Sequence, residues 1–227
     1  MIRLLDRQLI KKHSFSSYII GSLHQAFVQG ALDNAENDSE IKEILDKYDF
    51  IANYSSHYKH EFVSSKILHI NISDMNTYLK VFANRFEALL KMMETNKVII
   101  ALNVKYDWFK QRNNYRPVKL AMNELQKLAG DKQYYGAFEV DTEDIQKITG
   151  ILFWLCRCNA SLPYIHIIDE KNKISFNICK YGNLHAEIYS PETEKKMCIA
   201  SSAAEFSFIE TETEFLETKL RGRAIII

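Results

Sequence analysis

From Ile67 to Asp169 the chain alternates between two hydrophobic periodicities. Short apolar runs with strand character occur at Ile67–Ile72, Val98–Leu102, Tyr135–Val140 and Tyr164–Ile168. Between them lie three stretches in which apolar residues recur every three or four positions, the spacing of a helix with one buried face. The first of these is the sharpest. Ser73 or Asp74 can cap it, and Met75, Leu79, Phe82, Phe86, Leu89, Leu90 and Met93 form its stripe. The second has Pro117 in its first turn, Val118, Ala121, Met122, Leu125 and Leu128 along one side, and Gly130 just past its end, where a left-handed cap is expected. The third opens on Asp141 and Asp144 in the manner of a capping box and carries Ile145, Ile148, Leu152, Leu155 and Cys156 inward. A strand that returns through a helix is expected to pair parallel with its predecessor.

Before this core, helical patterns fit Tyr18–Leu32 and Ser39–Tyr54, joined by a polar turn. After Pro163 the period changes to two. A turn at Lys171-Asn172 pairs Ile167 with Phe176 and Ile165 with Ile178. At the next turn, a two-residue loop would put Glu187 on the apolar face. A three-residue loop with Gly182 in a left-handed bulge instead sets Ala186 opposite Ile178, so the bulged turn is expected. Thr211–Leu220 fits a short helix, and Ile225–Ile227 a terminal strand. The expectation is an α/β domain with a mixed, mainly parallel sheet, flanking helices, two N-terminal helices and a C-terminal antiparallel meander. As one domain over 1–227 it divides into a helical part (1–60), a βαβ core (61–169) and the meander with its last strand (170–227).

Composition narrows the function classes. The 29 basic residues equal the 29 acidic ones, which removes any bulk electrostatic argument for nucleic acid or a membrane surface. No apolar stretch approaches the ~18 residues of a membrane span. The four cysteines lack the spacing of a zinc clip or redox pair and read as free thiols of a cytoplasmic protein. There is no glycine-rich phosphate loop after any strand and no nucleophile elbow, and no cofactor is implied. No family is recognisable.

Candidate chemistry falls into three groups. The meander register places Tyr164, His166, Ser175, Asn177, Cys179, His185, Glu187 and Tyr189 on one sheet face, with His166, Asn177 and Glu187 in one row and Tyr164, Cys179 and His185 in the next. Imidazoles, a carboxylate and a thiol together suit acid–base chemistry or a transition metal. Asp74, Asp107, Asp141 and Asp169 each follow a strand, and at one rim of a parallel sheet they would suit a hard divalent cation. Finally, Lys105–Lys119 interleaves Lys105, Lys110, Arg112, Arg116 and Lys119 with Tyr106, Trp108, Phe109 and Tyr115, while Glu205–Glu217 is acidic throughout. Trp108, Phe109, Arg112, Tyr115 and Arg116, with Glu210, Glu212 and Glu214, are the residues expected to meet a protein partner, a basic one at the glutamates.

These patches, with no catalytic signature, favour a non-catalytic protein-binding role such as an immunity or antitoxin-like inhibitor. The alternative is a metal-dependent hydrolase or nuclease using the rim aspartates or the His/Glu sheet face. A nucleic-acid-binding module is third. The oligomeric state is not legible.

Overall fold

The computed structural model describes residues 1–49, 60–110, 113–130, 133–158 and 162–212. Eight strands form one sheet: β1 (Ile2–Leu5), β2 (Ser64–His69), β3 (Lys97–Leu102), β4 (Ala137–Asp141), β5 (Ile165–Asp169), β6 (Ile174–Ile178), β7 (Leu184–Ile188) and β8 (Ser207–Ile209). Their spatial order is β1-β4-β3-β5-β6-β7-β2-β8. Every neighbouring pair is antiparallel. Six α-helices are described: α1 (Ser14–Asp33), α2 (Asp38–Tyr48), α3 (Met75–Met92), α4 (Arg116–Ala129), α5 (Ile145–Cys158) and α6 (Pro191–Ala203).

The expected mainly parallel sheet is therefore corrected. The four expected strands do share one sheet, but the crossovers do not join neighbours. β4 and β5, linked through α5, run the same way with β3 inserted between them. β2 and β3, linked through α3, also run the same way but stand four places apart. Between β3 and β4 the chain makes a detour. The loop after Leu102 and α4 together start and finish at the same end of the sheet, so the two strands pair antiparallel.

The helix signals match the structure closely. Asp74 caps α3, its carboxylate accepting from the Thr77 N–H at 2.7 Å. Gly130 closes α4 at φ 71°. Asp141 does not cap α5; a 3-10 turn over Thr142–Asp144 precedes that helix, and the Asp141 carboxylate holds the N-terminal ammonium at 2.7 Å. Three elements went unexpected. β1 precedes the first helix and pairs with β4 at one sheet edge. β8 pairs with β2 at the other sheet edge. α6 occupies what was expected to be meander, started by Ser190 as cap and Pro191 in the first turn. The expected helix Ser39–Tyr54 ends earlier, at Tyr48, where Asp49 takes a left-handed cap at φ 38° and donates its N–H to the Leu45 carbonyl. Residues 50–54, the helix over Thr211–Leu220 apart from Thr211 and Glu212, and the strand at Ile225–Ile227 lie outside the described residues.

The two hairpins fix which side chains share a face. Ile167 pairs with Phe176, as the turn chemistry requires. At the second hairpin Gly182 has φ 90°, the expected left-handed bulge. The bulged loop is Lys180–Gly182, however, closed by Cys179 N–H to Asn183 O at 2.9 Å and Gly182 N–H to Cys179 O at 3.0 Å. Gly182 ends the loop instead of centring it, so Ile178 faces Leu184 and Phe176 faces Ala186. The register moves by two residues from the expected one, and a shift of two preserves the faces.

One face of the sheet presents Val98, Ile100, Leu102, Phe138, Val140, Ile165, Ile167, Ile174, Phe176, Ile178, Leu184, Ala186 and Ile188 to α3, α4, α5 and α6. On the other face Ile99, Ala101, Ala137 and Ile168 meet Phe15, Ile19 and Ile20 of α1. Among the described residues no helix is long and apolar enough to cross a membrane.

Candidate functional site

The α1 face of the sheet carries the chemistry. Strand pairing aligns Ala101 with His166, Asn177 with His185, His185 with Ile67, and Ile67 with Ile209. Carried one residue on, the β5–β6 register sets His166 opposite Asn177. The polar row is thus His166, Asn177 and His185. The expected row ending in Glu187 is corrected by the two-residue shift, which sets Glu187 opposite Ser175.

His166 is buried, and its Nδ1 pairs with Ser175 Oγ at 3.0 Å, while its Nε2 has no partner. Burial pushes its pKa down to about 4, so the ring is neutral at pH 7. Asn177 donates through Nδ2 to the Ile165 carbonyl at 3.0 Å, locking the side chain across two strands. At the other end of the row His185 Nε2 meets Glu212 Oε1 at 2.5 Å. The Cys179 thiol, first residue after β6, completes a cluster. Its sulfur, a ring nitrogen of His185 and a carboxylate oxygen of Glu212 all lie within 4.8 Å of one another. Burial, with the Glu212 carboxylate next, pushes the Cys179 thiol up to about 12. Among the described residues this is the one group of three such ligands so closely set.

Two cavities flank His185. One, of about 550 Å³, holds Cys179, His185 and Glu212 with Cys156, Tyr164 and Asn177 in its wall. The other, of about 290 Å³, lies beneath α1 and is bounded by Leu23, Phe27, Asn103, Tyr164 and the row from His166 to His185, with Ser175 and Glu187.

The rim aspartates do not converge. β2 and β3 run opposite to β4 and β5, so Asp74 and Asp107 follow strand ends at one edge of the sheet, and Asp141 and Asp169 at the other. Each has structural bonds. Asp107 Oδ1 accepts from the Phe109 and Tyr134 N–H groups, both at 3.0 Å. Asp169 is buried and accepts from the Lys171 and Asn172 N–H groups at 3.0 and 3.1 Å, and from Thr95 Oγ1.

The basic-aromatic segment is largely folded inward. Trp108 is fully buried, donates to the Gly136 carbonyl at 2.9 Å and packs edge-on against Phe138, so it presents no surface to a partner. Phe109 packs on the core, and Tyr115 meets Trp154 edge-on at 5.9 Å. Lys105 is paired with Asp46 at 2.5 Å, and Arg116 is exposed. Of the glutamates, Glu210 is exposed and Glu212 belongs to the cluster just described. Arg112 and Glu214 lie outside the described residues.

Comparison with protein families, with curated proteins and with solved structures finds no match.

Proposed function

We propose that the protein is a metal-dependent hydrolase whose centre is Cys179, His185 and Glu212. The observation that carries this reading is the convergence of a thiol, an imidazole and a carboxylate in the wall of a cavity. That mixed donor set suits a borderline-soft cation, zinc above others. Zinc held by these three side chains would supply Lewis acidity and an activated water, the chemistry that hydrolysis near neutrality needs.

The chain's own groups need only small movements. At metal–ligand bonds of about 2.0–2.1 Å in tetrahedral geometry, a nitrogen and an oxygen ligand stand roughly 3.3 Å apart. The 2.5 Å contact between His185 and Glu212 would open by less than an ångström to admit a cation. Cys179 must lose its proton on binding, because only the thiolate is a ligand. With the thiol protonated throughout the neutral range, zinc affinity should rise about tenfold per pH unit between pH 6 and 8.

Zinc titration of the full chain by competition with a chromophoric chelator tests the centre. Cys179→Ser, His185→Ala and Glu212→Gln should each weaken zinc at least tenfold with unchanged circular dichroism. Cobalt should give a thiolate charge-transfer band that Cys179→Ser abolishes. Zinc-loaded protein should hydrolyse activated ester or amide substrates, and His185→Ala should not. Zinc binding indifferent to all three substitutions, or no binding at all, would overturn the proposal.

A further inference from the structure

We infer that the apolar groove along the second half of α1 holds the acyl chain of the substrate, so that the molecule hydrolysed is an ester or amide of a straight-chain carboxylic acid. The substrate role rests on the hydrolase reading. The binding of an acyl chain rests on the groove alone.

α1 changes character along its length. Phe15, Ile19 and Ile20 are buried against the sheet, whereas Ala26, Phe27 and Gly30 are exposed. Leu23, Phe27, Gly30 and Asn34 stand three or four residues apart and so share one face of the helix. That face borders a groove of about 660 Å³, well within the range for ligand sites. Val104, Tyr106, Leu162 and Pro163 supply further apolar wall. Two rings of the lining stand largely in water, Phe27 at 57% exposure and Tyr164 at 71%. Contiguous apolar surface left open in this way is the mark of a binding groove.

Charge and shape select the occupant. Among the described lining residues Lys47, at the exposed end of α2, is the one charged side chain. His24 is buried, its Nε2 lies 2.5 Å from the Asn103 carbonyl, and burial pushes its pKa below the ordinary value, so it stays neutral at pH 7. A wall of carbon with no acid suits a hydrocarbon. From Leu23 to Ala31 the helix rises by roughly 12 Å at about 1.5 Å per residue. An extended alkyl chain covers that span with about ten carbons, since each bond of about 1.5 Å advances it by roughly 1.25 Å. Gly30 keeps the wall low, because a β-carbon built there meets no described atom within 4 Å.

The groove leads to the metal centre. Tyr164 borders it and both cavities beside His185, and Leu162 and Pro163 are shared with the cavity that holds Cys179, His185 and Glu212. A chain lying along α1 and past Tyr164 brings its carboxyl carbon to that cluster. In the matching reaction the oxygen of water bonds to this carbon and the bond to the leaving oxygen or nitrogen breaks. A proton goes to the departing atom, giving a carboxylate and an alcohol or amine.

Butyrate, hexanoate, octanoate and decanoate titrated calorimetrically into zinc-free full chain test the groove. Affinity should rise roughly threefold to fourfold per methylene, the factor that burying one CH₂ carries. With zinc-loaded protein, the 4-nitrophenyl esters of the same acids should show the same ladder in kcat/KM. Gly30→Leu fills the groove where space is open and improves helix propensity, so the fold is not put at risk. It should cut the decanoate-to-butyrate ratio at least tenfold in both measurements, and Phe27→Gln should cut it at least threefold. Zinc affinity of each variant, read by chelator competition, should match the wild type. Affinity independent of chain length, or a ladder unmoved by Gly30→Leu, would overturn the inference, leave the metal centre standing, and mean that protein from this chain or a partner covers the groove. A ladder in binding with none in hydrolysis would overturn the substrate role. A ladder in binding without any zinc binding would overturn the hydrolase reading and leave an acyl-binding groove.

Discussion

The two faces of the sheet solve different problems with the same strands. On the α3–α6 face the inward positions of β3, β5, β6 and β7 are apolar and buried, apart from Asp169 at the end of β5, and four helices cover it. On the α1 face the apolar patch stops at Ala101 and Ile168, and the next positions along the sheet are His166, Ser175, Asn177, His185 and Glu187. One helix covers the apolar part and leaves the polar part open to two cavities. Alternation along a strand makes this division possible, because successive residues serve opposite faces. Ile165, Ile167, Phe176 and Ile178 hold the fold, while His166, Ser175 and Asn177 between them are free to carry chemistry. The lesson is that stability and function here are interleaved at single-residue spacing, and they should be separable by mutation.

The largest separation is expected in the core. Phe176 is fully buried and meets Phe86 edge-on at 5.5 Å. Phe176→Ala should lower unfolding free energy by about 3–5 kcal/mol, through lost transfer energy and the cavity left behind. Urea denaturation measures it. His185→Ala, next door on the other face, should stay within about 1 kcal/mol, since His185 is part-exposed and its bond to Glu212 is at the surface. Equal losses at the two positions would break the comparison.

A smaller effect is expected where the polar face goes under cover. Burial holds His166 at about 4, against an ordinary 6.5 in the unfolded chain. Below pH 6.5 the unfolded chain takes up a proton that the folded protein refuses. The stability His166 contributes is therefore complete above pH 6.5 and is lost as pH falls towards 4, by about 3 kcal/mol in all. Chemical denaturation at a series of pH values should show this slope in the wild type and its absence in His166→Phe. A slope that survives the substitution would mean that His166 is hydrated and titrates normally.

How far the sequence reveals this division depends on the range of the interaction. Period-two alternation assigns His166, Asn177, His185 and Glu187 to one face correctly, because a face is a local property. Helix ends are equally legible, as Asp74 and Gly130 show, since a cap is decided within four residues. Strand direction between neighbours is not. β4 and β5 do return the same way, and only the insertion of β3, a long-range choice, turns a parallel pair into two antiparallel ones. Glu212 reads as one acid among several, and its place beside His185 depends on β8 pairing with β2 and β2 with β7. Asn103 carries no signal at all, and Trp108 has the composition of an exposed anchor and the position of a core residue.

The smallest effect tests the turn that sets the polar row. Gly182 ends the Lys180–Gly182 loop at φ 90°, and its carbonyl accepts from the buried Tyr78 hydroxyl. An L side chain there is strained, so Gly182→Ala should cost roughly 1 kcal/mol or more. The sharper reading lies in zinc affinity. Cys179 begins this turn and His185 follows it by three residues, so strain that opens the loop separates two ligands of the proposed centre. Denaturation and zinc competition on the same variant should show a modest loss of stability with a larger proportional loss of zinc affinity. A variant that loses stability yet holds zinc as the wild type does would show that the turn serves the fold alone and that the ligand geometry is set elsewhere.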